Sequence, residues 1–450
     1  MPPLARSLPA LHWPAAARPW LRRCAVLLAL AAAGASLLLG PMAAASSPGA
    51  LGANPETAAP LAVAQGAPPL VMLTMARDHT LFYEAYNDAS DVNGDGRLDI
   101  RFDPNIIYLG LFDSRLCYAY TPGTTGAAAR RNDNAGIFTP EAAAIAAPGT
   151  NTNFSCATDS HWSGNWLNWA TTSRIDALRV VLYGGYRETD TATSTVLRRA
   201  YIPQDAHSWA KEYTSVTVDR YDISAFTPLS QPSGSGTRRH FFGNLTDVRN
   251  RDCATLSNCS SRAPLLRVVT NARDARVWQW SATEGPVLHE TNNLFGGTRT
   301  DHTVRVEVCT AAFNDGCKRY PGANAASTAD DVLKPVGLLH EFGENGSMLF
   351  GLLTGSYDRN LSGGVLRKVV SSFATEVNPT DGTFTANATI VNAIDALRIR
   401  GFNDGRTTNS YRGGWIVDRP MTQGEFVDWG NPVAEMMYEG LRYFAGRRIA

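Results

Sequence analysis

The chain has 450 residues, with 41 Lys and Arg, 41 Asp and Glu, and 44% hydrophobic residues. This apolar content, together with 10 Trp and 15 Tyr, excludes an intrinsically disordered polymer. Because there is no basic excess, binding to nucleic acid through the phosphate backbone is also excluded. The length accommodates one large decorated domain or two to three smaller ones.

The N-terminal region has the pattern of a signal peptide. Arginines at 18, 22 and 23 precede an apolar run over 24–40, and Ala43-Ala44-Ala45 provides an A-x-A-type cleavage site. We predict a signal peptide over 1–45, followed by a flexible linker rich in Ala, Pro and Gly over 46–68. An uncleaved signal anchor is the alternative, because the run of about 17 residues is close to the minimum for a membrane span.

The remaining cysteines agree with export. Six are left after the predicted cleavage, and an even number in an exported chain indicates disulfides. Close spacing favours one pair at 253 and 259 and a second at 309 and 317, which leaves 117 with 156, although fifteen pairings are formally open. The predicted disulfide residues are Cys117, Cys156, Cys253, Cys259, Cys309 and Cys317.

The folded part of the chain is predicted to begin at Leu70. The apolar run Leu70–Ala76 is typical of a strand buried on both faces, and Val336–Phe342 and Met348–Thr354 have the same character on either side of a Glu-Asn-Gly turn. Alternation over Val304–Val308 predicts a half-exposed strand. The sequence therefore predicts a sheet made partly of fully buried strands.

Three helices are also predicted. Ser173 and Asp176 form a capping box before an apolar stripe (Ile175, Leu178, Val181, Leu182) that ends at Gly184. A second stripe, Ile390, Ile394 and Leu397, ends at Gly401. The third helix follows an Asn431 cap and Pro432, with the stripe Val433, Met437, Leu441 and Phe444.

Buried strands that alternate with amphipathic helices predict an α/β fold. Three polar stretches, 119–160, 186–262 and 355–388, are too long to be simple connections in a compact domain. We interpret them as insertions.

The clearest chemical motif runs from residue 91 to residue 99, Asp-Val-Asn-Gly-Asp-Gly-Arg-Leu-Asp. Oxygen-bearing side chains at relative positions 1, 3, 5 and 9, with Gly at position 6, match the start of a calcium loop, since Ca²⁺ takes six to eight oxygen ligands. Position 12 is Phe rather than Glu, and the flanking residues alternate, which favours a strand–loop–strand site over an EF-hand. The predicted Ca²⁺ ligands are Asp91, Asn93, Asp95, the Arg97 carbonyl, Asp99 and Asp103, with Glu84 and Asp88 nearby.

Three other polar or aromatic groups have both a functional and a simpler structural explanation. Asp78 and Thr80 follow the first strand, where α/β sheets bind ligands, but such residues more often cap a helix. The Trp-rich segment 162–169 is interpreted as core rather than as a carbohydrate platform. Asp205 and His207 are interpreted as a local turn, since no nucleophile motif accompanies them.

Several long segments resemble the N-terminal half of the type IV pilus assembly and tip-adhesin family (the PilY-type and neisserial PilC-type proteins). The resemblance spans about residues 69–450 and includes the calcium-type loop. The other segments that carry it are ARDHTLFYEAYND from Ala76, WSGNWLNWATTSRIDALRVVLYGGYRETDT from Trp162, RRAYIPQDAHSW from Arg198, GLLTGSYDRNLSGGVLRK from Gly351 and WGNPVAEMMYEGLRYF from Trp429.

The resemblance implies a von Willebrand factor A-like open sheet over 69–450, with helices on both faces and long insertions. It also implies export to the periplasm, outer-membrane surface or pilus tip of a Gram-negative bacterium, with minor pilins and host or abiotic surfaces as partners. The family's C-terminal calcium-binding β-propeller is expected to be absent from this chain. Asp78 and Thr80 keep only part of the family's metal-adhesion motif D-x-S-x-S, so the loop at 91–99 is the better metal candidate.

Two functions from different classes are compatible with the sequence. The first is a non-enzymatic, exported binding protein of type IV pilus biogenesis or tip-associated adhesion, stabilised by calcium and without a stable membrane span after signal cleavage. The second is a secreted, calcium-stabilised hydrolase of polysaccharide or peptide, with the Trp162–Trp169 segment lining its cleft. A pure scaffold domain is a third interpretation. No nucleophile or paired-carboxylate signature supports the hydrolase.

Overall fold

The computed structural model describes residues 67–87, 89–123, 135–145, 153–158, 160–202, 207–234, 237–246, 263–273, 296–356, 359–399, 423–424 and 432–447. All of them belong to the unit formed by Ala67–Ala450. The predicted signal peptide, all but the last two residues of the predicted linker, Asp88, Asp205, Cys253, Cys259, Gly401 and Asn431 lie outside the described residues.

The described residues contain fifteen strands. They are β1 (Leu70–Met75), β2 (Leu116–Thr121), β3 (Ile137–Ala143), β4 (Trp162–Ser163), β5 (Arg187–Asp190), β6 (Thr195–Arg198), β7 (Trp209–Tyr213), β8 (Arg238–Thr246), β9 (Pro264–Arg273), β10 (Thr298–Thr303), β11 (Arg305–Val308), β12 (Lys318–Tyr320), β13 (Val332–Lys334), β14 (Leu349–Thr354) and β15 (Val365–Ser371).

Six α-helices accompany these strands in the described part of the chain. They are α1 (Gly164–Thr171), α2 (Arg174–Tyr183), α3 (Val216–Asp219), α4 (Leu338–Gly343), α5 (Thr389–Asp395) and α6 (Val433–Phe444). Short 3₁₀ turns occur at His79–Phe82, Ile223–Ala225, Thr328–Asp330 and Phe373–Glu376.

The strands form four sheets. A three-stranded sheet has the order β1-β14-β15, in which β1 and β14 are parallel and β14 and β15 antiparallel. A six-stranded sheet has the order β4-β2-β3-β11-β6-β5, a four-stranded antiparallel sheet the order β10-β9-β8-β7, and β12 pairs with β13. The fold is thus mixed α/β with several sheets and few helices, and the strands β3, β5–β8 and β15 lie within the three predicted insertions.

Two hydrophobic clusters lie beneath these sheets. The first joins the three-stranded sheet to α2, α4 and α5, with Leu352, Ile175 and Ile394 completely buried. The second is shared by the six-stranded sheet, the four-stranded sheet and α1, and Trp166, Phe138 and Phe242 are completely buried in it. The three-stranded sheet also contacts α6, whose Met436 packs close to Leu353.

Local signals predicted α2 well. Ser173 and Asp176 form the expected capping box, and Gly184 ends the helix in the left-handed conformation at φ +85°. Ile175 is buried, Leu178 and Leu182 pack on the first cluster, and Val181 is exposed. The predicted strands at 304–308 and 348–354 are confirmed as β11 and β14.

The prediction of a strand over Val336–Phe342 is wrong. Residues Leu338–Gly343 form α4, with Gly337 at its N-terminal boundary, where the Gly337 N–H donates to His340 Nδ1 at 3.3 Å. A Cβ on Gly337 would lie 2.5 Å from the Val181 carbonyl oxygen. This close approach to α2 fixes the chain direction, and a short apolar run cannot by itself distinguish a strand from a buried helix.

Three further expectations need correction. β1 is only partly buried, with Leu70 55% exposed. The helix that carries Ile390 and Ile394 ends at Asp395, before the predicted limit at Gly401. The predicted apolar stripe of α6 is its exposed face, and Met436 and Gly440 are instead buried.

Candidate functional site

The segment from Asp91 to Asp99 forms a tight curl held by hydrogen bonds from backbone amides to side-chain oxygens. Asp91 is the main acceptor: Oδ1 accepts from the N–H of Gly94 at 2.7 Å and of Asp95 at 3.1 Å, and Oδ2 accepts from Gly96 at 2.8 Å. Gly94 and Gly96 adopt φ +75° and +83°. Glycine is favoured at both positions because left-handed backbone is strained for other residues.

The other oxygen-bearing side chains continue the same pattern. Asn93 Oδ1 accepts from Asp95 N at 2.9 Å, and Asp95 Oδ1 accepts from Arg97 N at 2.8 Å. Asp99 Oδ2 closes the loop by accepting from Val92 N at 2.7 Å. The four predicted side-chain ligands therefore lie on one curled turn, and each has an oxygen bonded to loop backbone.

Asp103, the remaining predicted ligand, and Glu84, which lies nearby in the sequence, make their contacts elsewhere. The Asp103 carboxylate accepts from the backbone and side-chain nitrogens of Asn105, at 2.8 and 2.9 Å. Glu84 Oε2 lies 2.6 Å from Lys211 Nζ. Among the described residues, no group of three or more His, Cys, Asp or Glu side chains is close enough to hold a metal ion.

The surroundings of the loop differ from the strand–loop–strand arrangement that we predicted. Residue 88 is not described. None of the other residues between 84 and 103 belongs to a strand, and Glu84 forms only an isolated bridge. Phe102 anchors the C-terminal end instead, with its ring 5.0 Å from the rings of both Tyr221 and Phe226. Alternation over 99–103 thus reflects one buried aromatic anchor among half-buried and exposed residues, not a pleated strand.

Two buried asparagines of α1 fix the chain that follows this anchor. Asn165 Oδ1 accepts from Tyr108 N at 2.9 Å, and its Nδ2 donates to Ile106 O at 2.8 Å. Asn168 Oδ1 accepts from Phe112 N at 3.0 Å, and its Nδ2 donates to the carbonyls of Tyr108 and Phe112, both at 2.8 Å. We call this arrangement the asparagine clamp; it satisfies backbone groups that the core would otherwise leave without partners.

Sequence reasoning did not identify the clamp residues. The available signal was the placement of two amides, three residues apart, each directly before a tryptophan (Trp166 and Trp169), on a helix whose residues are all buried. The Trp residues themselves are core, as predicted. Trp162 and Trp166 are 2% and 0% exposed, so neither lines an open cleft.

Burial also raises the pKa of tyrosines around the clamp. The pKa of Tyr118 rises chiefly because its hydroxyl is desolvated, and this hydroxyl accepts from Asp113 N at 2.8 Å. The pKa of Tyr108 is raised for the same reason, and that of Tyr86 is raised to about 12. These phenols are therefore neutral in the folded protein well above pH 10.

Asp78 and Thr80 come together at the carboxyl end of β1. Asp78 Oδ1 accepts from the Thr80 backbone N–H at 2.9 Å and from its hydroxyl at 2.5 Å, so Asp78 caps the 3₁₀ turn His79–Phe82. The capping interpretation is thereby confirmed. Within this turn, His79 Nδ1 lies 3.2 Å from Nε2 of the buried His207, and the Tyr83 ring packs against both imidazoles.

Two predicted disulfides are present in the described part of the chain. Cys117 is bonded to Cys156 and Cys309 to Cys317, across sequence separations of 39 and 8 residues. The first ties β2 to the segment that precedes α1, and the second closes the loop between β11 and β12. The pair at 253 and 259 stays a prediction.

The geometry thus defines a loop-rich α/β protein with a carboxylate-lined turn and an ordered, cross-linked core. Two family models match the chain: one described as the small alpha/beta domain of PilY1 homologs, over residues 99–268, and one described as their second domain, over residues 350–450. Together they cover about three fifths of the residues.

Curated relatives agree with this assignment. A type IV pilus biogenesis factor PilY1 homolog of Xylella fastidiosa strain Temecula1 is 44% identical over 399 residues, which is 83% of this chain and 24% of the relative. A second protein of the same name and organism is 28% identical over 253 residues, or 54% of this chain and 17% of the relative. The chain belongs to the PilY1 homolog family, and the predicted resemblance is confirmed.

The chain spans about a quarter or less of the length of these relatives. No solved structure matches it significantly. None of the helices in the described residues combines the length and the apolar character that crossing a membrane requires.

Proposed function

We propose that this chain is an exported type IV pilus biogenesis and tip-associated adhesion protein that acts by binding and not by catalysis. Its partners are minor pilins at the pilus tip and host or abiotic surfaces. Its location is the periplasm, the outer-membrane surface or the pilus tip of a Gram-negative bacterium. The observation that carries the proposal is the 44% identity to a type IV pilus biogenesis factor over 83% of this chain.

The second part of the proposal is that Ca²⁺ binds the loop Asp91–Asp99 and stabilises it. The loop carries the carboxylates of Asp91, Asp95 and Asp99 and the Asn93 amide on one curled turn, and five of its backbone amides donate to these side chains. Uncompensated carboxylates at short range repel one another, and a cation removes that repulsion. The role of the ion is structural, since the site has no accompanying nucleophile.

The third part concerns the fold. We infer that the three-stranded sheet is the von Willebrand factor A-like part of the chain. Support comes from the parallel pair β1–β14, from α6 against one face of the sheet and from the cluster with α2, α4 and α5 against the other. Asp78 and Thr80 then occupy the carboxyl edge of β1, where open α/β sheets bind ligands.

Gene deletion tests the function most directly. Surface pili and attachment are scored in the deletion strain, in a strain complemented with the wild-type gene, and in strains that carry Asp95→Asn or Asp315→Asn. Asp315 is the matched control, because it is an exposed loop carboxylate (86% of its side chain) outside the calcium-type loop.

We expect the deletion to lose surface pili, attachment or both, and the wild-type gene and Asp315→Asn to restore them. If the loop needs its cation, the Asp95→Asn gene is expected to restore fewer pili and less attachment than the wild-type gene. A deletion strain with normal pili and normal attachment would contradict the proposed function. Full restoration by Asp95→Asn would contradict only the calcium part.

A further inference from the structure

His340 is a buried histidine of α4 that uses only one of its two ring nitrogens. The residue is 2% exposed, and its Nδ1 accepts from the Gly337 N–H at 3.3 Å, so Nδ1 carries no proton. The proton of the neutral imidazole therefore lies on Nε2. Nε2 is buried, and the described part of the chain provides no hydrogen-bond partner for it.

Aromatic rings and cations surround this imidazole. The ring of Phe373 lies 5.2 Å from it in an edge-to-face arrangement, and the ring of Phe384 lies 5.7 Å away. The Arg187 guanidinium sits over the Phe384 ring, 4.0 Å from its centroid. Burial lowers the pKa of His340 well below its unfolded value of 6.5, and the positive charges of Arg187 and Lys318 lower the pKa further.

The carboxylates of α4 itself do not compensate these charges. Glu344, at the C-terminal boundary of the helix, lies 2.6 Å from Lys318 Nζ and accepts from the Tyr320 hydroxyl at 3.0 Å. Glu341 is exposed to solvent. A proton added to His340 would therefore place a third positive charge beside Arg187 and Lys318, in a largely apolar environment.

The elements that pack against α4 offer no counter-ion either. They are β14, which has no titratable residue, α2, and the 3₁₀ turn that ends at Glu376. On α2, Asp176 caps its own helix. Arg179 and Tyr183 both contact Asp395 instead. The Glu376 carboxylate accepts from backbone amides at the start of α5. Each of these acidic groups is thus already engaged elsewhere.

The helix that carries His340 depends on its side-chain contacts because it is short. α4 has six residues, and a helix of that length is not stable on its own in water. Leu339 is buried in the first cluster, and a Cβ on Gly343 would lie 2.6 Å from Phe373 Cβ and 3.0 Å from the Phe350 ring. Loss of the His340 contacts is therefore expected to loosen the whole helix.

We propose that His340 is a pH switch for α4: the neutral imidazole holds the helix on the first hydrophobic cluster, and protonation releases it. The added proton binds Nδ1, which can then no longer accept from the Gly337 N–H. Release brings the charged ring into water and uncovers Leu339 and Phe350. Because the folded pKa lies below the unfolded value of 6.5, the stability that His340 contributes is complete above about pH 6.5 and is lost as the pH falls.

Hydrogen–deuterium exchange of the purified chain tests the proposal, with protection factors corrected for the intrinsic pH dependence of exchange. Between pH 7 and pH 5, an opening that exposes an imidazole of pKa 6.5 becomes about 25-fold more favourable. The amides of α4 are therefore expected to lose protection at least about tenfold. The amides of α1, in the second cluster, are the internal reference and are expected to lose much less.

Two substitutions of His340 remove the titration in different ways. His340→Asn keeps an oxygen that can accept from the Gly337 N–H, and His340→Phe keeps an aromatic ring. Both are expected to abolish the acid-induced loss in α4. The ratio of protection at the two pH values is compared within each variant, so a lower stability at pH 7 does not affect the result. His161→Asn is the matched control, because His161 is a half-buried histidine just before β4, in another sheet.

The control is expected to lose as much protection in α4 as the wild type does. Three results would overturn the proposal: a wild type whose α4 keeps its protection at pH 5, an equal loss in α1, or a full loss that persists in both His340 variants.

Discussion

The asparagine clamp and the calcium-type loop use the same kind of hydrogen bond in opposite environments. In the clamp, Asn165 and Asn168 are 0% exposed, and their amides satisfy buried backbone groups. In the loop, Asp91 and Asp99 accept from backbone amides at comparable distances, but the residues are largely exposed. Loss of a buried hydrogen bond lowers the free energy of unfolding strongly because the groups left behind have no other partner, whereas water can replace the lost partner of an exposed group.

The two regions also differ in charge. The clamp is neutral and complete within the described residues, so its stability requires no ion. The loop carries three carboxylates within nine residues, and we propose that a cation balances their mutual repulsion. We therefore expect stability to depend on residue identity in the clamp and on calcium in the loop.

The largest effect is expected from Asn168→Leu. It leaves Phe112 N and the carbonyls of Tyr108 and Phe112 without the partners they have at 3.0, 2.8 and 2.8 Å. We expect a loss of about 4 kcal/mol in the free energy of unfolding, measured by urea denaturation. Asn392→Leu on α5 is the control, because Asn392 is exposed. Equal losses in the two variants would show that the clamp bonds contribute nothing.

Removal of calcium is expected to have the next largest effect. At free calcium about 100-fold above the dissociation constant, bound ion stabilises the folded state by about 2.7 kcal/mol. Chelation should therefore lower the melting temperature of the wild type and of Asp315→Asn, but not that of Asp95→Asn. A wild-type melting temperature that is the same with calcium and with chelator would contradict the proposed role of the ion.

These two regions also show what the sequence could and could not predict. The capping box of α2 and the loop at 91–99 are each encoded by residues within a few positions of one another, so both motifs could be recognised in the sequence. The clamp joins residues 56 to 60 positions apart, and α4 is set by contact between Gly337 and α2. Such long-range contacts leave little local signature, and for the same reason the exposed face of α6 was mistaken for its buried face.

Alkaline pH should affect the clamp region. Burial raises the pKa of Tyr118 above its unfolded value of 10.0, so the folded state keeps a proton that the unfolded state releases. Stability from this group is complete below pH 10 and is lost as pH rises further. We expect Tyr118→Phe to reduce the loss between pH 9 and pH 11 by about 1.4 kcal/mol, measured by urea denaturation at both pH values.

The smallest effect is expected from the loop glycines. Gly94→Ala places a Cβ at φ +75° with no atom within 4 Å, so only backbone strain opposes it, at about 1 kcal/mol. In contrast, a Cβ on Gly110 would lie 2.3 Å from Asn168 Oδ1, inside the clamp. Thermal denaturation of both variants should therefore show a much larger decrease for Gly110→Ala. The reverse order would mean that the loop, not the clamp, is the rigid region.

Isothermal titration of the chelator-treated chain with calcium chloride tests the central claim most directly. We expect saturable binding of about one ion per chain, with an affinity at least about tenfold weaker in Asp95→Asn and unchanged in Asp315→Asn. An absence of saturable binding, or the same affinity in Asp95→Asn, would contradict the claim that the turn from Asp91 to Asp99 holds a cation.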